Sequence, residues 1–536
     1  MFTKFLPLFL QGNDAIRSIV VNLLRIKQLH LKPQVFTKMS KLHFLNIYTA
    51  GTRDIRFYEP WGLYLHQGLE SLPNELRYLG WAHYPLESLP SNFSAENLVE
   101  LHLPYSRLKK LWQEVPVNII RIPFNLKLTL AHAMSSIICL FQLLQDLVNL
   151  RVLMLYSSSN IKELPDFSKA PNLEVIDLRS CVGLTSVHPS IFSLKKLEIL
   201  DLEDCRSLTS IRSNVHMDSL RYLSLYKCME LKDFSVTSKN MIMLNLELTS
   251  IKQLPSSIGS QSKLEKINLA FSSIESLPAS MKDLKGLRHL DLRYCRNLRS
   301  LPELPPSIET LDARECVSLE SVTFPTIAEQ WNENKKKIVF WNCLNLDERS
   351  LKAIETNARI NMVKFAHRHL STSGDAQAIY VYPGSQVPEW LTHKTTLYDD
   401  DDDDDDYISF APHSSHSGYI LCFILPAVQY AERVLKLKVS TEGEDEGDDS
   451  VIVYLDRPHH SIKSDHVYLM YNQECSRFLT SRAKQQPMLK FKVTVATLAL
   501  SSKYIEVQLR GFGVSTISNF LNKQQLYDAH IPKEHC

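Results

Sequence analysis

Between Leu150 and Ala313 the chain repeats one hydrophobic phrase: an apolar residue, two others, an apolar residue, one other, an apolar residue. The copies begin at Leu150, Leu173, Leu197, Leu220, Met241, Leu264, Leu287 and Ile308, in steps of 23, 24, 23, 21, 23, 23 and 21 residues. A period in the low twenties predicts a leucine-rich repeat solenoid, an α/β horseshoe in which each phrase is a strand of a parallel concave sheet and the rest of the repeat returns along the convex side. The return phrases, such as Leu254-Pro255-Ser256-Ser257-Ile258 and Leu277-Pro278-Ala279-Ser280-Met281, place proline after leucine. That predicts short irregular or 3₁₀ pieces rather than further strands.

The same phrase extends toward the N-terminus at residues 16–21, 42–47, 76–81 and 98–103, with 33–39 as a return path. From Leu98 to Leu150 the step is 52 residues, and 116–144 contains no phrase in register. Deleting those 29 residues restores a step of 23. Residues 116–144 are therefore expected to be an insert, and translated non-coding sequence is favoured over a membrane or partner helix. The leucine-rich repeat domain is expected over 16–325, after an N-terminal remnant at 1–15.

Beyond 338 the pattern changes. Leu351, Ile354, Ala358, Met362 and Phe365 recur at helical spacing and predict a helix over 351–369. Short apolar runs follow at 378–382, 419–425, 451–455, 489–495 and 504–509. Runs of that kind separated by turns predict an all-β sandwich, here a domain over 338–515 with a tail at 516–536. Two acidic runs, Asp399 to Asp406 and residues 442–449, interrupt it and are expected to be solvated loops. Neither has the spacing of a calcium loop.

Composition narrows the function classes. The formal net charge of +1 gives no field directed at nucleic acid or an anionic membrane. No run of clean apolar residues reaches the length of a spanning helix. The short apolar run at residues 5–10 lacks a signal-peptide cleavage site, and Asn92-Phe93-Ser94 is the one glycosylation sequon. Cys181, Cys205, Cys228, Cys295 and Cys316 each stand three residues after the third apolar position of a phrase. Such arrays place Asn or Cys there to bond the turn from inside the coil, so a structural thiol ladder is expected rather than a metal site or disulfides. Reduced thiols in turn imply a reducing compartment.

Several stretches resemble a known family. They are residues 69–81, with Leu72-Pro73 and Tyr78-Leu79-Gly80-Trp81; 84–93; 97–106, ending Pro104-Tyr105-Ser106; Lys110-Leu111-Trp112; 164–174; and Val381-Tyr382-Pro383-Gly384-Ser385-Gln386-Val387-Pro388-Glu389-Trp390. Together they are similar to the C-terminal part of plant intracellular immune receptors of the TIR–nucleotide-binding–leucine-rich-repeat class. The last stretch resembles the start of that family's post-repeat jelly-roll/Ig-like domain. The resemblance implies an innate-immune, effector-sensing interaction module acting in the cytoplasm or nucleus. Its implied partners are a pathogen effector, a guarded host protein, or the TIR and nucleotide-binding domains of related receptors. The family's NAD-cleaving and nucleotide-binding domains have no counterpart in this sequence, and no G-x-x-x-x-G-K-[ST] loop occurs. No cofactor or enzymatic activity is therefore carried over, and a truncated decoy, regulatory or non-functional fragment of such a receptor is the alternative reading.

Strand alternation turns the residues between the leucines toward the concave face. One column reads Met154, Asp177, Asp201, Ser224, Asn245, Asn268, Asp291 and the next Tyr156, Arg179, Glu203, Tyr226, Glu247, Ala270, Arg293. The candidate partner-binding residues are Tyr105, Tyr156, Asp177, Arg179, Asp201, Glu203, Tyr226, Glu247 and Arg293, since Tyr and Arg commonly anchor protein contacts. Asp177 and Asp201 fall on neighbouring strands, and Arg179 or water must relieve their repulsion. A paired-carboxylate hydrolase is the competing reading, but the face is open to water. His459, His460 and Cys475 lack the spacing of a triad.

Overall fold

The computed structural model describes residues 13–26, 29–49, 63–112, 147–325, 334–369, 374–396, 407–411, 418–428, 435–441, 450–456, 461–485, 488–498 and 504–517. The expected insert at 116–144, both acidic runs and His459-His460 lie outside them. The chain divides into two compact units, Met1–Ile251 and Lys252–Cys536.

The first unit is built on nine parallel strands: Ser18–Asn22, Phe44–Tyr48, Tyr78–Trp81, Glu100–His102, Val152–Met154, Val175–Asp177, Ile199–Asp201, Tyr222–Ser224 and Met243–Asn245. Each lies in register with the next. Leu101 faces Leu153, so the strands on either side of residues 113–146 are direct neighbours. The strands form because the apolar residues of each phrase point into the coil. Leu150, Leu153, Leu155, Leu173, Ile176 and Leu178 are fully buried, each stabilising the coil by ~1.5–3 kcal/mol. On the convex side two outcomes occur. Pro189–Ser193 is a 3₁₀ turn with proline at its start. The proline-free segments Ser210–Arg212 and Asp233–Ser235 pair as a short second sheet.

The second unit continues the repeat with parallel strands Lys266–Asn268, His289–Asp291, Thr310–Asp312 and Lys337–Val339. The last lies beyond 325, where the leucine phrase stops. Its first apolar place is taken by buried Lys335, which hides the coil from the hydrophobic pattern. Lys337–Val339 then pairs in parallel with Gln377–Pro383, the first strand of an antiparallel sheet that continues through His466–Asn472, Gly418–Leu425, Gly511–Ile517 and His393–Thr396. A second antiparallel sheet of Tyr407–Phe410, Leu489–Leu498, Leu435–Thr441, Ser450–Leu455 and Tyr504–Val507 faces it. Phe423, Tyr468 and Val514 from one sheet and Leu437, Phe491 and Val495 from the other share a core, which Val339 and Trp341 of the last coil also enter.

The helix Glu348–His369 carries the expected apolar stripe, with Ile354, Ala358, Met362 and Phe365 buried. It also buries two amides. Asn361 donates Nδ2–H to Lys335 O at 2.7 Å and accepts Lys335 N–H at 3.0 Å, while Asn357 Oδ1 accepts from Tyr380 Oη at 2.8 Å. None of the described helices is long and apolar enough to cross a membrane.

Candidate recognition face

The concave residues are held by a repeated backbone device. Asp177, Asp201 and Asn245 each accept, through Oδ1, the N–H two residues on, that of Arg179, Glu203 and Glu247, all at 3.1 Å. Asn268, Asp291 and Asp312 do the same in the second unit, for Ala270, Arg293 and Arg314. This Asx turn starts the bend out of the strand. One residue later the chain enters the left-handed region, at φ 57° for Ser180, 58° for Asp204, 60° for Lys227 and 60° for Tyr294. Non-glycine residues there cost ~1–2 kcal/mol each. A hydrogen bond to the next coil offsets that cost: Ser180 N–H donates to Glu203 O, Asp204 N–H to Tyr226 O, and Tyr294 N–H to Arg314 O.

Three residues after the third apolar position, the ladder thiols point inward. Cys181, Cys205 and Cys228 donate to Leu155 O, Leu178 O and Leu202 O at 3.1–3.2 Å. Cys295 and Cys316 reach Leu269 O and Leu292 O at 3.1 Å. The series runs on to Cys343, which reaches Ala313 O at 3.0 Å. Burial pushes the Cys181 and Cys228 thiols up to about 12. Cys475 is buried in the helix Gln473–Ala483, also with a thiol raised by burial to about 12.

Of the nine candidate residues, Arg293 lies in the second unit and the other eight in the first. Tyr105 is off the column of Tyr156. It occupies the left-handed turn position, with φ 56°, equivalent to Ser157 rather than Tyr156. The two rings nonetheless meet edge to face at 5.4 Å. The Arg179 guanidinium lies 5.6 Å above the Tyr156 ring. Its Nη2 is 2.7 Å from Asp177 Oδ2 and its Nε 3.0 Å from Asp177 Oδ1, whereas Asp201 Oδ2 is 3.6 Å from Nε. Arg179 thus relieves the carboxylate pair as expected, but unequally. Burial, with the Asp177 charge adding to it, raises the Asp201 carboxyl to about 6. Asp177 and Asp201 therefore have a structural duty in the turn beside any role at the surface.

Further face residues lie in the column before the second apolar position, which the two-column reading passed over. Tyr222 pairs in register with Ile199, and its phenol is raised by burial and by Asp201. Phe44 stacks on Tyr78 at 4.4 Å, and Tyr78 meets His102 at 5.0 Å. The same alternation that placed Tyr156 outward would have found them.

In the second unit, Arg293 Nη2 is 2.7 Å from Asp291 Oδ2. One strand on, Arg314 is buried between Asp312 and Asp456, and Lys337 Nζ lies 2.6 Å from Asp456 Oδ1. Here the concave columns end under the β domain: Asn342 N–H donates to His466 Nε2 at 2.9 Å, and Lys463 Nζ reaches Glu315 Oε2 at 2.7 Å.

A parallel sheet of in-register coils, with thiols and Asx turns recurring along its bends, defines a leucine-rich repeat protein. The Leucine Rich Repeat family model matches residues 97–115. The chain is related over most of its length to plant disease resistance proteins. It is 30% identical to disease resistance protein RPS4B of Arabidopsis thaliana over 72% of this chain and 34% of that protein. To RML1A of the same plant it is 30% identical over 72% and 35%. Disease resistance-like protein DSC1, also from Arabidopsis thaliana, matches at 27% over 86% and 47%. The chain thus spans between a third and a half of the length of these relatives. Among solved structures, the leucine-rich repeat domain of the type III effector XopL matches at 23% identity over 38% of this chain and 65% of that one, with a TM-score of 0.26. Leucine-rich repeat domains of resistance proteins are protein-interaction modules.

Proposed function

We propose that the concave face recognises another protein in plant defence, either a pathogen effector or a host protein that effectors target, and that it does so in the cytoplasm or nucleus. The observation that carries this reading is the half-exposed array of Tyr156, Arg179, Glu203, Tyr222 and Tyr226, with Asx turns holding the Arg179 and Glu203 coils at its centre, in a chain related to disease resistance proteins. Aromatic rings and arginine on a rigid support give large contact area at little conformational cost. The TIR and nucleotide-binding domains of related receptors are the second class of partner. No chemistry is assigned to the Asp177–Asp201 pair, because Arg179 and the turn N–H groups already use both carboxylates. NAD cleavage by the purified chain is expected to be absent.

Capture of effectors from a defined panel tests the reading. Tyr226→Ala with Arg293→Ala, one residue in each unit, is expected to lower capture at least about tenfold, since two anchor residues each contribute ~1 kcal/mol or more. Capture unaffected by both changes would remove the concave face from recognition.

A further inference from the structure

The concave face of the first unit is chemically two-sided. On its early coils it is aromatic: Phe44 stacks on Tyr78, Tyr78 meets His102, and Tyr105 packs edge-on to Tyr156. On its later coils it is acidic, with Asp177, Asp201, Glu203 and Glu247 facing Arg179 and Lys227. The two cations are already engaged. Arg179 is bound to Asp177 through two nitrogens, and Lys227 Nζ sits 4.8 Å from the centre of the Tyr226 ring. Among the described residues no cation closes on Glu203, and Asp201 receives Arg179 only at 3.6 Å. Two rings of this face, Tyr156 and Tyr226, each carry a cation from the chain itself, so these tyrosines stand where cation–π contact forms. Ile199, on the strand between, keeps an exposed apolar side chain.

We infer that this face takes an extended protein segment in which an apolar stretch adjoins a lysine- or arginine-rich one. The cations seat at Asp201 and Glu203, beside the Tyr222 and Tyr226 rings, and the apolar side chains lie along Phe44, Tyr78 and Tyr156. Charge complementarity selects a cationic segment over an acidic one, because an acidic side chain would meet Asp201 and Glu203, whose nearest cation is already bound to Asp177. This rests on the proposal that the concave face is the recognition surface, and it names the partner's chemistry.

The probes are a short fluorescein-labelled peptide with a leucine-rich half and a lysine-rich half, and its counterpart with glutamate in place of each lysine. Both are titrated by anisotropy into the full chain at low and at physiological salt. The lysine peptide is expected to bind at least about tenfold more tightly than the glutamate peptide, and to weaken as salt rises. Glu203→Gln with Glu247→Gln, which leaves the Asx turns intact, is expected to lower the lysine peptide's affinity about tenfold and flatten its salt dependence. Equal binding of the two peptides, which needs no variant, overturns the inference. So does a lysine-peptide affinity unchanged in the folded double variant. If effector capture still depends on Tyr226 while the lysine peptide fails, the recognition reading stands and the cationic class alone falls.

Discussion

Asp201→Asn is expected to stabilise the array at neutral pH and not at acid pH. Asp201 faces Asp177 in register across two strands. Its side chain is 16% exposed, and Arg179 is committed to Asp177. Burial first and Asp177 second raise its carboxyl from 3.8 to about 6, a difference worth ~3 kcal/mol. A carboxyl whose folded value is raised contributes its full stability below its unfolded value, about 3.8, and loses it as pH rises through about 6. Above that the ionised form is a net cost that an amide does not carry. The amide keeps the turn, since Asn245 accepts the Glu247 N–H at the same 3.1 Å that Asp201 shows with Glu203. Long repeat arrays need not unfold in one step, so the assay is local. Native-state hydrogen exchange at the amides of Leu202, Asp204 and Cys205 reports the opening free energy of this coil. The variant is expected to raise it by ~2–3 kcal/mol at pH 7.5 and to match the parent near pH 4. Asp201→Ala, which loses the turn acceptor, should give back ~1 kcal/mol of that gain. No gain at pH 7.5, or the same gain at both pH values, would refute the reasoning.

His466 is held neutral, with burial lowering it to about 4 while Nε2 accepts the Asn342 N–H and Nδ1–H donates to Ser464 O at 2.7 Å. Its contribution is present above the unfolded value of 6.5 and falls as pH drops toward about 4, so urea unfolding of the second unit should lose ~3 kcal/mol over that window, and His466→Gln should flatten the slope. Asn361→Leu leaves the Lys335 N–H and C=O without their amide and is expected to cost ~2–3 kcal/mol, read as a lower urea midpoint. Cys181, Cys205 and Cys228, buried and with raised thiols, should resist a maleimide in the native chain and react once urea opens the coils.

The repeat itself was legible in the sequence because burial leaves few choices: Leu153, Ile176, Leu200, Leu223 and Leu244 are all fully buried. Strand alternation also placed Tyr156, Arg179, Glu203 and Tyr226 outward. What the hydrophobic pattern did not carry was duty. Asp and Asn in the first column look like surface until their bonds to the turn N–H groups are seen, although the recurrence of those two residue types was itself a signal. The left-handed position was invisible, since Ser180, Asp204, Lys227, Phe271, Tyr294 and Glu315 share no chemistry; the bond from the next coil imposes the conformation. The coil at Lys337–Val339 was hidden by Lys335, and the buried Asn357 and Asn361 by the assumption that a helix buries apolar residues alone.

Hydroxyl-radical footprinting of the full chain with and without an effector captured from the panel tests recognition by this face most directly. Tyr156, Tyr222 and Tyr226 are expected to lose reactivity on binding, while exposed convex positions such as Pro189 in Pro189–Ser193 stay unchanged. Unaltered reactivity of the three tyrosines, with protection confined to the convex segments, would contradict recognition by the concave face.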